Sequence, residues 1–340
     1  MIPMTGYERI RCALNFEKAD FTAVNPEIIQ HSMQLTGIKH SLYSTDSEAL
    51  ATAQLKTQEH YDYDAVYISS DNYILNEAFG GEVIFPEDEP PRLKSVAFKG
   101  EDTGSLRKLT PESGRVGVIL KATEISRKTL GDRVYVKTNI DSAPFSAAAC
   151  VVGPEKFLMA VCDGENWVDD VLDFCTEQII RYGCLAAECG AHGLAFGDSV
   201  SSLISRNMYE EIAFPYAKKA IDRLKKETGL PVFYHICGDT NRILDLMCQT
   251  GADCIEIDSC VDIRKARELA EGICCVEGNV STIEALLEGK PEDVRREAGN
   301  VLEAFAGSNG LILSGACEIP RYTPEENIFA LVRSARGGLS

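Results

Sequence analysis

Eight short apolar runs, each followed by a stretch with helical spacing, constrain this chain more than any other feature. They lie at 21–25, 64–68, 134–140, 192–197, 231–235, 253–257, 273–277 and 311–314. Each has the length of a strand and is bounded by turn-forming or charged residues. The helical stretches between them are long enough to carry the chain back across a sheet, as parallel neighbours require. Eight parallel strands with covering helices predict an α/β fold, a TIM (β/α)8 barrel. An open doubly wound sheet is the alternative, but no Gly-x-Gly-x-x-Gly turn follows the first strand. The expected organisation is a single barrel domain over 1–340, with an N-terminal helical extension and an excursion near 79–110. That excursion is rich in Gly, Pro and charge and reads as a β-hairpin. The longer helices are expected at 113–131, 164–190, 207–228 and 291–306, with a shorter one at 281–288.

In such a barrel, active sites gather at the C-terminal ends of the strands. The residues there are Asn139 and Asp141, Asp198, His235 and Cys237, Asp258, Glu277 and Asn279, and Cys317. Strand ends meet solvent, which accounts for Asn and Asp. It accounts poorly for Pro231-Val-Phe-Tyr-His-Ile-Cys-Gly-Asp-Thr240, where strand alternation puts His235 and Cys237 on one side. The run Leu311-Ile-Leu-Ser-Gly-Ala-Cys317 brings a second thiol to another strand end. One imidazole and two thiolates suit zinc. Three protein ligands leave a fourth position for substrate, as in catalytic sites.

The competing reading is that these are ordinary buried thiols. The chain has 13 cysteines, and free Cys often serves as a small apolar residue. Cys260, Cys274 or Cys275 as a fourth ligand would close the site and make it structural. A formal charge of -18 argues against nucleic acid or an anionic membrane surface as partner. No run approaches the roughly 18 apolar residues of a membrane span. The stretch Met1-Ile-Pro-Met-Thr-Gly-Tyr-Glu-Arg9 lacks a signal peptide's apolar core. With mostly reduced thiols, a cytoplasmic address is expected.

Several segments extend the argument: Gly197-Asp-Ser-Val200, His235-Ile-Cys-Gly238, Val276-Glu-Gly-Asn-Val-Ser281, Ser314-Gly-Ala-Cys317 and Tyr322-Thr-Pro-Glu-Glu-Asn-Ile328. In their order and spacing the chain resembles the uroporphyrinogen decarboxylase superfamily, specifically its zinc- and corrinoid-dependent methyltransferase branch. Methylcobamide:coenzyme M methyltransferases belong to that branch. Decarboxylase members carry an arginine-rich segment after the first strand, where guanidinium forks hold carboxylates. Here that segment reads Thr22-Ala-Val-Asn-Pro-Glu-Ile-Ile-Gln-His31, with no arginine.

The resemblance implies zinc (Zn2+) on His235, Cys237 and Cys317. It places Asp258 where relatives can carry a fourth carboxylate, with Glu256 one pleat deeper. It also implies a corrinoid (cobalamin) presented by a partner protein, and a small-molecule methyl donor or acceptor. The transfer could run from the corrinoid to a small thiol, or from an aromatic methyl ether to the corrinoid. Asp198, Asn279 and Gly315 are expected on the cofactor side, and Tyr67, Tyr73, Phe145 and Phe196 as walls of an apolar pocket. His192 begins a strand and is expected at the barrel's opposite end, in a structural role. A uroporphyrinogen decarboxylase-like enzyme and a non-catalytic zinc barrel are the other readings.

Overall fold

Strands β1 (Ala23–Val24), β2 (Ala65–Ile68), β3 (Glu82–Ile84), β4 (Arg92–Ser95), β5 (Tyr135–Ser142), β6 (Gly193–Gly197), β7 (Val232–Ile236), β8 (Cys254–Ile257), β9 (Cys275–Val280) and β10 (Leu311–Gly315) form in chain order. They belong to a computed structural model that describes residues 3–100 and 102–338. Eight of them make one parallel sheet in the order β1-β10-β9-β8-β7-β6-β5-β2. β3 and β4 pair antiparallel as a hairpin inside the excursion that follows β2. The sheet curls into a TIM barrel, and each of the eight expected strand runs is one of its staves.

β1 and β2 lie at the two ends of the sheet order, and one residue joins them. Asp64 donates its N–H to Val24 O at 2.9 Å, and its Oδ2 accepts the Val24 N–H at 2.9 Å. Its Oδ1 accepts from Arg9 Nη1 at 3.0 Å. Arg9 also grips Asp20 at 2.7 Å, so the guanidinium is held from two sides.

Alternation along the strands sorts the interior into two levels. The lower level is Ala23, Ala65, Tyr135, Ala195, Phe233, Cys254, Cys275 and Ile312, closed from below by Ile10 and Ala13 of the helix Gly6–Leu14. That helix starts at Thr5, whose hydroxyl accepts the Glu8 N–H while Glu8 returns a bond to the Thr5 N–H. Two residues further along each strand stand Asn25, Tyr67, Lys137, Gly197, His235, Glu256, Glu277 and Ser314. This upper level is mostly polar. Residues of the other parity, among them Val66, Val136, Phe196, Tyr234, Ile255 and Leu313, pack outward beneath the helices.

Three helical segments depart from expectation. Pro144–Val152 is a helix, opened by a proline at its first turn and ended at Gly153. It is buried on nearly every side, so it carries no amphipathic period to read. The helix expected over 207–228 is interrupted by a π turn at Tyr209–Ala213. Pro215 lies just beyond and has no N–H to continue an α ladder. The segment expected at 281–288 is likewise a π turn, Thr282–Leu287. Among the described residues, no single helix is long and apolar enough to cross a membrane.

Candidate metal centre at the barrel mouth

His235 is a register partner of Gly197 on β6 and of Glu256 on β8. Cys237 follows at the end of β7, and Gly238 then turns the chain with φ 83°. Asp258 Oδ2 accepts the Gly238 N–H at 2.8 Å and so fixes that turn. Cys317 arrives from the loop after β10, which is three strands away around the barrel, beyond β8 and β9. A side chain at Gly315 would bring Cβ to 3.0 Å from Ile319, 3.1 Å from Thr282 and 3.2 Å from the Cys317 carbonyl. A side chain there would press on the turn that delivers Cys317, and its neighbours would have to give by a few tenths of an ångström.

The three side chains meet. His235 Nε2 is 2.8 Å from Cys237 Sγ, and Cys237 Sγ is 3.8 Å from Cys317 Sγ. The Ser199 hydroxyl donates to Cys237 Sγ at 3.4 Å. The Cys317 hydrogen bond, then His235, hold the Cys237 thiol well below its ordinary range. Burial opposes a charge on His235, but Cys237 outweighs it and raises the imidazole to about 10. Cys317 is pushed up, first by its bond to Cys237 and then by burial. Without an ion, these shifts favour the charge pair of a His235 imidazolium and a Cys237 thiolate, with the proton kept on Cys317.

This donor set fits zinc. Two thiolates about 2.3 Å from a tetrahedral ion lie about 3.8 Å apart, which is the sulfur separation here. The His235–Cys237 contact would have to open by less than ~1 Å to reach ligand spacing. Nδ1 of His235 is buried without a hydrogen-bond partner, free to carry the proton that an Nε2 ligand leaves it. Among the described residues the cluster contains His235, Cys237 and Cys317, and no fourth donor. Cys275 lies in the lower interior level, Cys274 in the outer core, and Cys260 is exposed.

The remaining expected residues surround the trio. Asp258 spends one oxygen on Gly238 and accepts the Ser259 hydroxyl on the other at 3.2 Å. Asn279 donates from one amide nitrogen to the carbonyls of Asp258 (3.1 Å) and Val261 (3.0 Å). Asp198 is fully buried and accepts from Ser146 N–H (3.0 Å), Ser146 hydroxyl (2.8 Å), Ser201 (2.7 Å) and Tyr234 (2.8 Å). These bonds occupy the three side chains in holding loops. Phe145 and Phe196 are sealed in the outer core instead of lining a pocket, whereas Tyr67 faces inward and Tyr73 is half-buried. His192 lies at the opposite end as expected, where its Nδ1 accepts the Val136 N–H at 3.0 Å.

Sequence reasoning missed what stands beside His235 inside the barrel. Lys137, 1% exposed, places Nζ 2.7 Å from Glu27, 2.7 Å from Glu256 and 3.0 Å from Glu277. Asn25 donates to Glu277 at 2.6 Å. The faces of Tyr67 and Phe233 approach the ammonium at 4.8 and 4.9 Å. Burial disfavours the charge on Lys137, but the three carboxylates prevail and raise its pKa. Burial, together with Glu256 and Glu27, raises Glu277 against the pull of Lys137. A lysine of inward parity in the apolar run Val134–Ile140 was the available signal.

The family description "Uroporphyrinogen decarboxylase (URO-D)" matches residues 5–337. The chain belongs to the URO-D family. Among URO-D relatives, the methylcobamide:CoM methyltransferase MtbA of Methanosarcina mazei is 32% identical over 295 residues, 86% of this chain and 85% of that protein. The MtbA of Methanosarcina acetivorans is 30% identical over 308 residues, 89% of this chain and 88% of that protein. A uroporphyrinogen decarboxylase of Chlorobium phaeovibrioides is 28% identical over 270 residues, 76% of this chain and 74% of that protein. The solved structure of a methyltransferase from Methanosarcina mazei shares the fold, with a TM-score of 0.89 at 24% identity, over 99% of this chain and 100% of that one.

Proposed function

We propose that the protein is a zinc-dependent methyltransferase that moves a methyl group between a corrinoid carried on a partner protein and a small thiol. The observation that carries this reading is the open His235–Cys237–Cys317 trio at the barrel mouth, with no fourth donor among the described residues. Two of the more similar relatives are methylcobamide:CoM methyltransferases, and a third is a methylated-thiol–coenzyme M methyltransferase. Zinc held there would supply a Lewis acid that keeps a substrate thiol deprotonated at neutral pH.

The chain's own groups do the rest. His235, Cys237 and Cys317 would hold the ion, with the substrate sulfur entering from the mouth. Ser199 donates to the Cys237 sulfur and disperses its charge. Asp258, Asn279 and Asp198 hold the loops, and Gly315 gives the Cys317 turn its space. A methylated corrinoid delivered by the partner would supply the methyl group: the substrate sulfur would bond to the methyl carbon, and the electron pair of the broken carbon–cobalt bond would leave with the corrinoid as cobalt(I).

A decarboxylase reading fits the chain less well. The segment 22–31 contains no arginine, and Glu27 stands inside the barrel where carboxylates would have to enter. The proposed methyltransferase works in the reducing cytoplasm, with neither nucleic acid nor membrane as partner.

The test is metal content of the purified protein with and without Cys237→Ser, followed by assays with methylcobalamin plus a thiol and with cob(I)alamin plus an aryl methyl ether. One zinc per chain, lost in the variant, with methyl transfer to the thiol, is the expected result. Transfer only from the ether would reverse the direction. Full activity in a metal-free variant would refute the zinc mechanism.

A further inference from the structure

The interior of a barrel of this kind is ordinarily filled by branched apolar side chains. Here the upper level holds the charged Lys137, Glu256 and Glu277, and Glu27 joins them from the chain beyond β1. Glu27, Glu256 and Glu277 converge closely enough to hold a cation, and the Lys137 ammonium occupies that place. Taking such groups out of water is costly, and apolar side chains of similar volume commonly stabilise a core as well or better. Stability alone therefore does not explain the cluster.

Its position does. His235 turns Nε2 toward Cys237 and Nδ1 toward Glu256, whose Oε2 is 3.8 Å away. Nδ1 is buried and has no other partner. Glu256 offers Oε2 because Oε1 is already held by Lys137 at 2.7 Å. Lys137 cannot drift, because Glu27 and Glu277 hold it from the other sides and two aromatic faces border it. A histidine that binds a metal through one nitrogen needs an acceptor for the proton on the other, and that acceptor fixes the ring.

We propose that Lys137 and Glu256 are positioning residues for His235. Lys137 fixes one oxygen of Glu256 so that the other receives the His235 Nδ1–H when Nε2 binds the metal. A shift of less than ~1 Å brings the present separation to hydrogen-bond length. The inference rests on the zinc reading of the trio and adds to it the reason for a charged interior.

The experiment compares zinc affinity of the wild-type chain, Glu256→Gln and Lys137→Met by competition with a chromophoric chelator. The visible spectrum of the cobalt(II)-substituted proteins is recorded alongside, with circular dichroism to verify folding. Glu256→Gln keeps the volume and an oxygen for Lys137 while losing the carboxylate, so it carries the test if Lys137→Met does not fold. The expected result is zinc binding weakened roughly 10- to 100-fold, a shifted cobalt spectrum, and a lowered kcat with little change in the thiol KM. A folded Glu256→Gln protein with wild-type zinc affinity and an unshifted spectrum overturns this inference and leaves the zinc reading standing. A wild-type chain that binds no zinc at all overturns both.

Discussion

Replacing Asp64 by Ala tests whether one side chain closes the barrel. The substitution removes the bond from the Val24 N–H to Oδ2, the bond from Arg9 to Oδ1 and a longer one from Arg336 Nη2 to Oδ1 at 3.4 Å, too long to add much, and leaves the backbone bond to Val24 O in place. Each of the two shorter bonds involves a charged group, worth about 1.5–3 kcal/mol. Arg9 is only 5% exposed but keeps Asp20, so it is not stranded and the larger penalty for an unpaired buried charge does not apply in full. The expected cost is therefore roughly 3–5 kcal/mol. The control is Asp62→Ala, whose carboxylate is 80% exposed and pairs with Arg336 at 3.3 Å. Such a surface pair is worth about 0–1 kcal/mol. Equilibrium urea unfolding of both variants gives the comparison. A second consequence follows from the seam's position: β1 leads into Asn25 and Glu27, so Asp64→Ala is also expected to weaken metal binding. Equal midpoints for the two variants would refute the argument that Asp64 closes the sheet.

Two further expectations concern titration. In the metal-free protein, Ser199→Ala removes a donor from the Cys237 thiolate, so the pH midpoint of Cys237 alkylation by iodoacetamide should rise; an unmoved midpoint would show that the 3.4 Å contact carries no weight. Burial, with Arg127 adding to it, lowers the His192 pKa to about 4. Its unfolded value is about 6.5, so below that pH the unfolded chain takes up the proton first. Stability should fall between about pH 6.5 and 4, by roughly 1–3 kcal/mol after allowance for solvent screening. His192→Asn should lose that part of the slope, and an unchanged slope in thermal unfolding between pH 4 and 7 would argue against it.

Much of this architecture was legible in the sequence because the barrel writes itself as apolar runs separated by amphipathic helices. His235 and Cys237 were legible together because strand alternation is a two-residue rule, and Cys317 because it stands at a second strand end. The helix Pro144–Val152 was not, since a segment buried all round loses the period that marks a helix. The lysine–glutamate cluster was half visible: Glu256 and Glu277 lie near strand ends, but Lys137 and Glu27 meet them only across the closed barrel. The engagement of Asp258 with Gly238, of Asp198 with Ser146 and of Ser199 with Cys237 are contacts between loops that follow different strands. No local pattern encodes them.

The sulfurs of Cys237 and Cys317 have one more chemical option. A thiolate facing a thiol at 3.8 Å is poised for disulfide formation once a two-electron oxidant arrives. The sulfurs would close to about 2.05 Å, and the link would staple the end of β7 to the end of β10. An ion bridging the two thiolates blocks that outcome as a protecting group does in synthesis. Preparations stripped of metal in air should therefore accumulate a dead, cross-linked form. Added zinc alone would not revive it, but a reductant followed by zinc would.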